Sequence, residues 1–305
     1  MNALRGEGGG IIPVPRILSF VILLIALACG RPGSTPRGTV VVLDDAGDSV
    51  RVRVPAARVA SLIPAATELL FAIGAGPSVV GRTQWCDYPA EALPVADLGP
   101  GINPNLEAVL SVAPDLVILY NSAQHAGVAR RLRDLGIPAL RLNTDALADV
   151  RRVGGLLGRL TGRTREADSV SVAFETALAE VTVEVERHER PKVLLLVWEQ
   201  PPMTIGRGSF LSELVERAGG VNLFADVTAS SAPVSIEAVS ARDPDLILTA
   251  AAGPAGIANR PEWQVVRAVR ERRFLRVSGT EYDRPGPRSP GAIRALAGRL
   301  RQAAR

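Results

Sequence analysis

The chain has 305 residues, 47% of them hydrophobic and 22% charged, with a formal charge of +4. That is room for two domains and enough apolar content for a packed core, which excludes a disordered chain. Lys192 is the only lysine, and the arginine runs RRLRDLG and RERRFLR fall on helix faces with no aromatic interleaving, which argues against a nucleic-acid partner.

Near the start, Arg16 precedes the uncharged run ILSFVILLIALA and then Cys29. A membrane span needs about 20 apolar residues, so this shorter run makes residues 1–28 read as a signal peptide. Its end, Ala26-Leu27-Ala28-Cys29, resembles a bacterial lipoprotein cleavage site, which implies a lipid on Cys29. A cleaved but unlipidated signal peptide is the alternative, and both place the protein outside the cytoplasm. Residues 29–57 read as a tether rich in Gly, Pro, Ser and Thr followed by a short strand pair at 39–54. Cys86 is the one cysteine beyond the tether, so no disulfide joins two parts of the folded region.

A first lobe is expected over 58–163. RVASLI reads as a strand, Pro64 opens the helix TELLFAIG, and SVVGRT is a second strand running into Gln84-Trp85-Cys86-Asp87-Tyr88-Pro89. The loop LGPGINPN feeds the helix LEAVLSV, and DLVILY is apolar throughout, as a strand buried on both faces should be. A helix to Leu135 and the strand ALRL follow. Strand and helix alternate, which predicts α/β architecture with mainly parallel sheets.

Residues 164–190 predict a long helix. Ala167, Val170, Phe174, Ala177, Leu178, Val181 and Val185 form one stripe at helical spacing, opposite Arg165, Asp168, Glu175, Glu180, Glu184 and Arg187. At about 1.5 Å per residue it would span roughly 35–40 Å.

Beyond it, over 191–305, the order repeats. KVLLLVW is a strand, and the SEL of SFLSELVERAGG matches Thr67-Glu68-Leu69. VSIEAVSARDPDLIL matches NLEAVLSVAPDLVIL at an offset of 130 residues, so Glu237 falls on Glu107 and Pro244-Asp245-Leu246 on Pro114-Asp115-Leu116. FLRV corresponds to ALRL. Three matches in one order describe a duplicated lobe joined by the long helix.

The stretches RVASLIPAATELLFAIGAG, WCDYP, NPNLEAVLSVAPDLVI, PMTIGRGSFLSELVERAGGVNLF and PDLIL together resemble class III solute-binding proteins of ABC importers, most of all the cobalamin-binding receptors. The resemblance implies two Rossmann-like α/β lobes bridged by the one long helix, with a ligand in the interlobe cleft and little closure on binding. It implies a cobalamin-like corrinoid as ligand and a permease dimer as partner, at the periplasm or the outer face of the cytoplasmic membrane, with contact to the membrane through a lipid anchor only. Haem or a ferric siderophore is the alternative within the class, and a surface-anchored α/β enzyme is the alternative outside it. The loop reading GPGIN departs from the pattern, since the best-known cobalamin receptors carry a tryptophan there.

Aromatic residues mark the expected cleft. Trp85, Tyr88, Tyr120, Trp198 and Tyr282 each lie at or just past the C-terminal end of a predicted strand, where ligands of open α/β sheets bind. Trp85 and Trp198 are expected on opposite walls. Around Tyr282 the run GTEYDRPGPRSP brings Glu281, Asp283, Arg284 and Arg288 to the same rim. The cobalamin receptors meet ligand amides with polar residues of this loop, which points to Arg288, whose alternative role is a charge near the last helix.

Glu107 and Glu237 each sit in a helix's first turn, after Asn105 and Ser235. The helix dipole alone accounts for a carboxylate at such a place. The resemblance adds that each lobe presents one such glutamate to the permease.

No cofactor, metal centre or catalytic group is expected. His188 reads as exposed, and His125 follows a strand, where it is either a plain loop residue or a contact to a ligand's metal. No His/Cys cluster has metal-ligand spacing. GAGPSV and GRGSFL lack the third glycine of a dinucleotide loop, and Ser209 is not in G-x-S-x-G.

Overall fold

In the computed structural model, residues 38–185, 189–249 and 256–303 are described. The signal peptide, Cys29, most of the tether and His188 lie outside these residues.

The first lobe is built on the apolar run that follows Pro114. Strand β5 (Leu116–Tyr120) has Leu116 to Leu119 fully buried, as its unbroken apolar sequence requires, and lies inside a four-stranded parallel sheet. The order is β4 (Val79–Arg82), β3 (Val59–Ser61), β5, β6 (Ala139–Leu142). Helices α1 (Pro64–Ala72), α2 (Leu106–Ser111), α3 (Ala123–Asp134) and α4 (Leu147–Thr161) connect and cover it. A hairpin, β1 (Gly38–Leu43) and β2 (Ser49–Val54), buries Val50, Val52 and Val54. Its turn is held by aspartates, with Asp45 on Arg152 and Asp48 on Arg133 and Arg141.

The bridge is α5 (Thr164–Val185), about 33 Å long at 1.5 Å per residue. Ala167, Phe174, Leu178 and Val181 of the expected stripe are buried, and Val170 and Val185 pack at its edge.

In the second lobe, β9 (Val221–Asn222), β7 (Lys192–Glu199), β11 (Leu246–Thr249) and β12 (Phe274–Arg276) pair in parallel, in the order of β4, β3, β5 and β6. The likeness extends to single bonds. Asp115 accepts from the backbone N–H groups of Ala57 and Arg58 just before β3, and Asp245 accepts from that of Lys192 at the start of β7. Ala113 and Asp243, 130 positions apart, both hold positive φ, of 43° and 47°. The Pro-Asp-Leu repeat is therefore a device that registers a central strand against its neighbour.

The second sheet is mixed rather than parallel throughout. Strands β8 (Pro202–Ile205) and β10 (Ser231–Pro233) add to β7 as an antiparallel edge. Helices α6 (Phe210–Arg217), α7 (Ile236–Arg242), α8 (Arg267–Arg270) and α9 (Ser289–Ala303) complete the lobe. Trp263 is fully buried in a short 3-10 turn, a packing residue. One hydrophobic cluster runs from β2 through α1, α4 and α5 to α6 and α9, while the outer face of each sheet has a smaller cluster of its own.

Candidate functional site

The carboxyl ends of the first lobe's parallel strands open onto a cavity of about 750 Å³. Residues 62–65 after β3, Thr83 and Trp85 after β4, Tyr120 and Ser122 at the end of β5, and Thr144 and Asp145 after β6 form one wall. Gly208, Ser209, Phe210 and Ser230, together with Asp283, Arg284 and Pro285, close it from the second lobe. The cavity is thus the interlobe cleft at the strand ends of the sheet.

Two of the six expected ligand-binding residues line it. Trp85 is 55% exposed, a large unpartnered ring at the rim. Tyr120 donates its hydroxyl to Asp145, 2.8 Å from both carboxylate oxygens. Partial burial, then the bond to Asp145 and its charge, push the Tyr120 pKa up to about 12.

The other four are placed elsewhere. Tyr282 is buried in the core, because the short turn at 280–282 directs it inward and leaves Asp283 to Pro285 on the cavity. Tyr88 lies under the Arg288 guanidinium, 4.0 Å from ring centre to the cation. Arg288 is held by Glu68 and Glu281 and does not reach the cavity wall. Trp198 sits on the β7–β8 hairpin, 61% exposed, with its indole N–H donated to Gln200 O at 2.7 Å. Among the described residues it does not face Trp85 across the cavity.

His125 does reach the cavity, yet both ring nitrogens are engaged. Nε2 lies 2.7 Å from Gly101 O, and Nδ1 lies 2.9 Å from the Ser122 hydroxyl and 3.0 Å from Tyr120 O. The ring thereby fixes the GPGIN loop. Gly101 has φ +79°, and a Cβ there would lie 2.6 Å from Thr83 Cγ2. Ile102, 63% exposed, is the apolar side chain this loop offers to the cleft.

Arg284 is the only guanidinium on the wall among the described residues, and its charge is spent. It donates to Glu68 at 2.7 Å, to Asp87 and to Trp85 O at 3.2 Å. Asp145 and Asp283 remain exposed to the cavity. Partial burial raises the Asp283 carboxyl, Arg284 lowers it, and Glu281 and Asp87 raise it. Among the described residues the cleft thus sets two exposed carboxylates and a paired guanidinium beside the rings of Trp85 and Tyr120 and neutral polar side chains such as Ser122, Gln124 and Ser209. Asp283 and Arg284 lie on the cavity, at the rim where the sequence put them, whereas Asp145, Ile102 and Glu68 were not singled out by sequence, although the Thr-Glu-Leu repeat pointed at the last.

Glu107 and Glu237 are exposed at the starts of α2 and α7, and neither forms an ion pair among the described residues. Asn105 accepts from the N–H of Glu107 and Ser235 from that of Ala238. Its own backbone N–H and then the Ser235 hydroxyl lower the Glu237 carboxyl. No group of three or more His, Cys, Asp or Glu able to hold a metal occurs among the described residues, nor a helix long and apolar enough to cross a membrane.

Over residues 59–278 the sequence matches the family described as periplasmic binding protein. The chain belongs to that family. It is 29% identical over 266 residues to the ABC transporter substrate-binding lipoprotein YvrC of Bacillus subtilis, covering 84% of each. It is 27% identical over 243 residues to the vitamin B12-binding protein of Vibrio cholerae, covering 78% of this chain and 87% of that one. The structure of the periplasmic heme-binding protein RhuT from Roseiflexus sp. RS-1 superposes with a TM-score of 0.73 at 25% identity, covering 82% of this chain and all of that one. This periplasmic binding protein is therefore the solute receptor of an ABC importer, with two α/β lobes on one long helix.

Proposed function

We propose that this periplasmic binding protein captures a cobalamin-like corrinoid in the interlobe cleft and delivers it to the permease dimer of its importer. The observation that carries the reading is the charge of the wall: among the described residues its one guanidinium is neutralised by Glu68 and Asp87, and two carboxylates face the cavity. A corrinoid presents amide N–H groups around its edge and an apolar face, which suit acceptors beside Trp85 and Tyr120. Ferric siderophores and haem propionates are anionic and would meet like charge here. The likeness to RhuT favours haem as the second reading. Against it, the Tyr120 hydroxyl is committed to Asp145 at 2.8 Å and His125 has both nitrogens bonded within the protein. In the same reading residues 1–28 are removed, Cys29 holds the chain to the membrane, and Glu107 and Glu237 meet arginines of the permease.

Cyanocobalamin is expected to quench Trp85 fluorescence saturably. Changing Trp85 and Tyr120 together to Ala should weaken binding by about 30-fold or more, the scale of one buried aromatic anchor. Saturable binding of haemin with no response to cyanocobalamin would establish the second reading instead. Changing Glu107 and Glu237 to Ala should leave ligand affinity intact and weaken capture by the importer, more so at low salt. If capture survives and only thermal stability falls, the two glutamates are helix-start residues.

A further inference from the structure

The repeat places Glu68 and Glu213 at equivalent positions, in Thr67-Glu68-Leu69 of α1 and Ser212-Glu213-Leu214 of α6. Each lies just inside a helix whose N-terminal end lines the cavity, and each reaches into the opposite lobe. Glu68, 3% exposed, accepts from Arg284 at 2.7 Å and from Arg288 at 2.7 and 3.0 Å. Gly286 lets the second lobe come this close, since a Cβ there would stand 3.2 Å from Glu68 Oε2. Among the described residues the Glu213 carboxylate makes one hydrogen bond, accepting from the backbone N–H of Leu147 at 3.0 Å.

The two clasps differ in a way that bears on opening. Breaking the Glu68 clasp would strand a buried carboxylate between two guanidinium groups. Breaking the Glu213 clasp exposes one N–H at the start of α4 to water. Helix α4 would stay formed, because Asp149 already accepts from the N–H groups of Asp145 and Ala146. Leu147 is also two residues from Asp145 on the cavity wall, and Glu213 three from Phe210 on the other. A ligand that touches both walls therefore bears on this contact.

We propose that Glu213 is a releasable latch between the lobes and Glu68 a fixed one, so that the cleft opens on the Glu213 side. Both are positioning residues for the walls of the site. The inference stands apart from the identity of the ligand.

Spin labels on Ser111→Cys and Ala241→Cys, exposed on α2 and α7 of opposite lobes, report the separation of the lobes in the full chain carrying Cys29→Ser. The parent should give one narrow distance distribution. Glu213→Ala should add a second, longer population with the thermal midpoint nearly unchanged, and Glu213→Gln, which keeps an acceptor without charge, should fall between. Cyanocobalamin should leave the Glu213→Ala protein about tenfold faster, the scale of one charge-assisted hydrogen bond. A single unshifted distance in a folded Glu213→Ala protein overturns the latch. Failure of the parent to bind cyanocobalamin overturns the corrinoid reading alone, and the distances still decide the latch.

Discussion

Replacing Glu68 by Ala is expected to cost about 3 kcal/mol of folding stability, the lower end for a buried ion pair that loses one partner. The carboxylate is almost wholly buried, and both of its oxygens are occupied by guanidinium groups whose side chains are 13% and 20% exposed. Without it, two cations stay at the lobe boundary with only part of their partners: Arg284 keeps Asp87 and Trp85 O, and Arg288 keeps Glu281 and Thr280. Those remaining partners are why the cost is not higher. Glu68→Gln fills the same space and keeps an acceptor, so it should lose less. Urea denaturation checks both variants, and a loss below about 1 kcal/mol for Ala would mean that Glu281 and Asp87 take up the whole charge.

The second large effect is expected from Ala177→Pro in the middle of α5. Proline removes one backbone hydrogen bond and clashes with the preceding turn, for roughly 3 kcal/mol or more. Ala177 is only half-buried, so lost packing adds little and the change acts through the backbone. Ala177→Gly isolates propensity from the break and should cost about 1 kcal/mol. Because α5 packs on α4 of one lobe and on α6 and α9 of the other, a kink there should misalign the cavity walls as well as lower the midpoint. Full stability with normal cyanocobalamin binding in the proline variant would show that α5 does not set the separation of the lobes.

Much of this architecture is legible in the sequence because it rests on periodic, local signals. The apolar run of β5, the stripe of α5 and the repeated Pro-Asp-Leu each reflect a single element meeting its immediate neighbours. Antiparallel β8 and β10 have no such signal, being short strands of mixed polarity. The cleft was legible as a place and less so as a set of side chains. An aromatic at a strand end faces either the cavity or the core, and the choice at Tyr282 is made by one turn of backbone. Arg288 read as a ligand contact and Glu68 only as one member of a repeat, because nothing local reveals a partner more than 200 positions away. Asp145 became informative only once Tyr120 was seen to point at it.

The hydrophobic cluster that threads both lobes through α5 also bears on how the molecule comes apart. Two domains on a flexible linker have separate cores, and each can melt at its own temperature. Here the buried faces of α1, α4, α6 and α9 share one interior with α5, so losing either lobe strips cover from the other. The duplication therefore doubled the lobes without making them independent melting units. Heating should give one calorimetric transition whose enthalpy matches its sharpness, and neither half expressed alone should keep a stable fold.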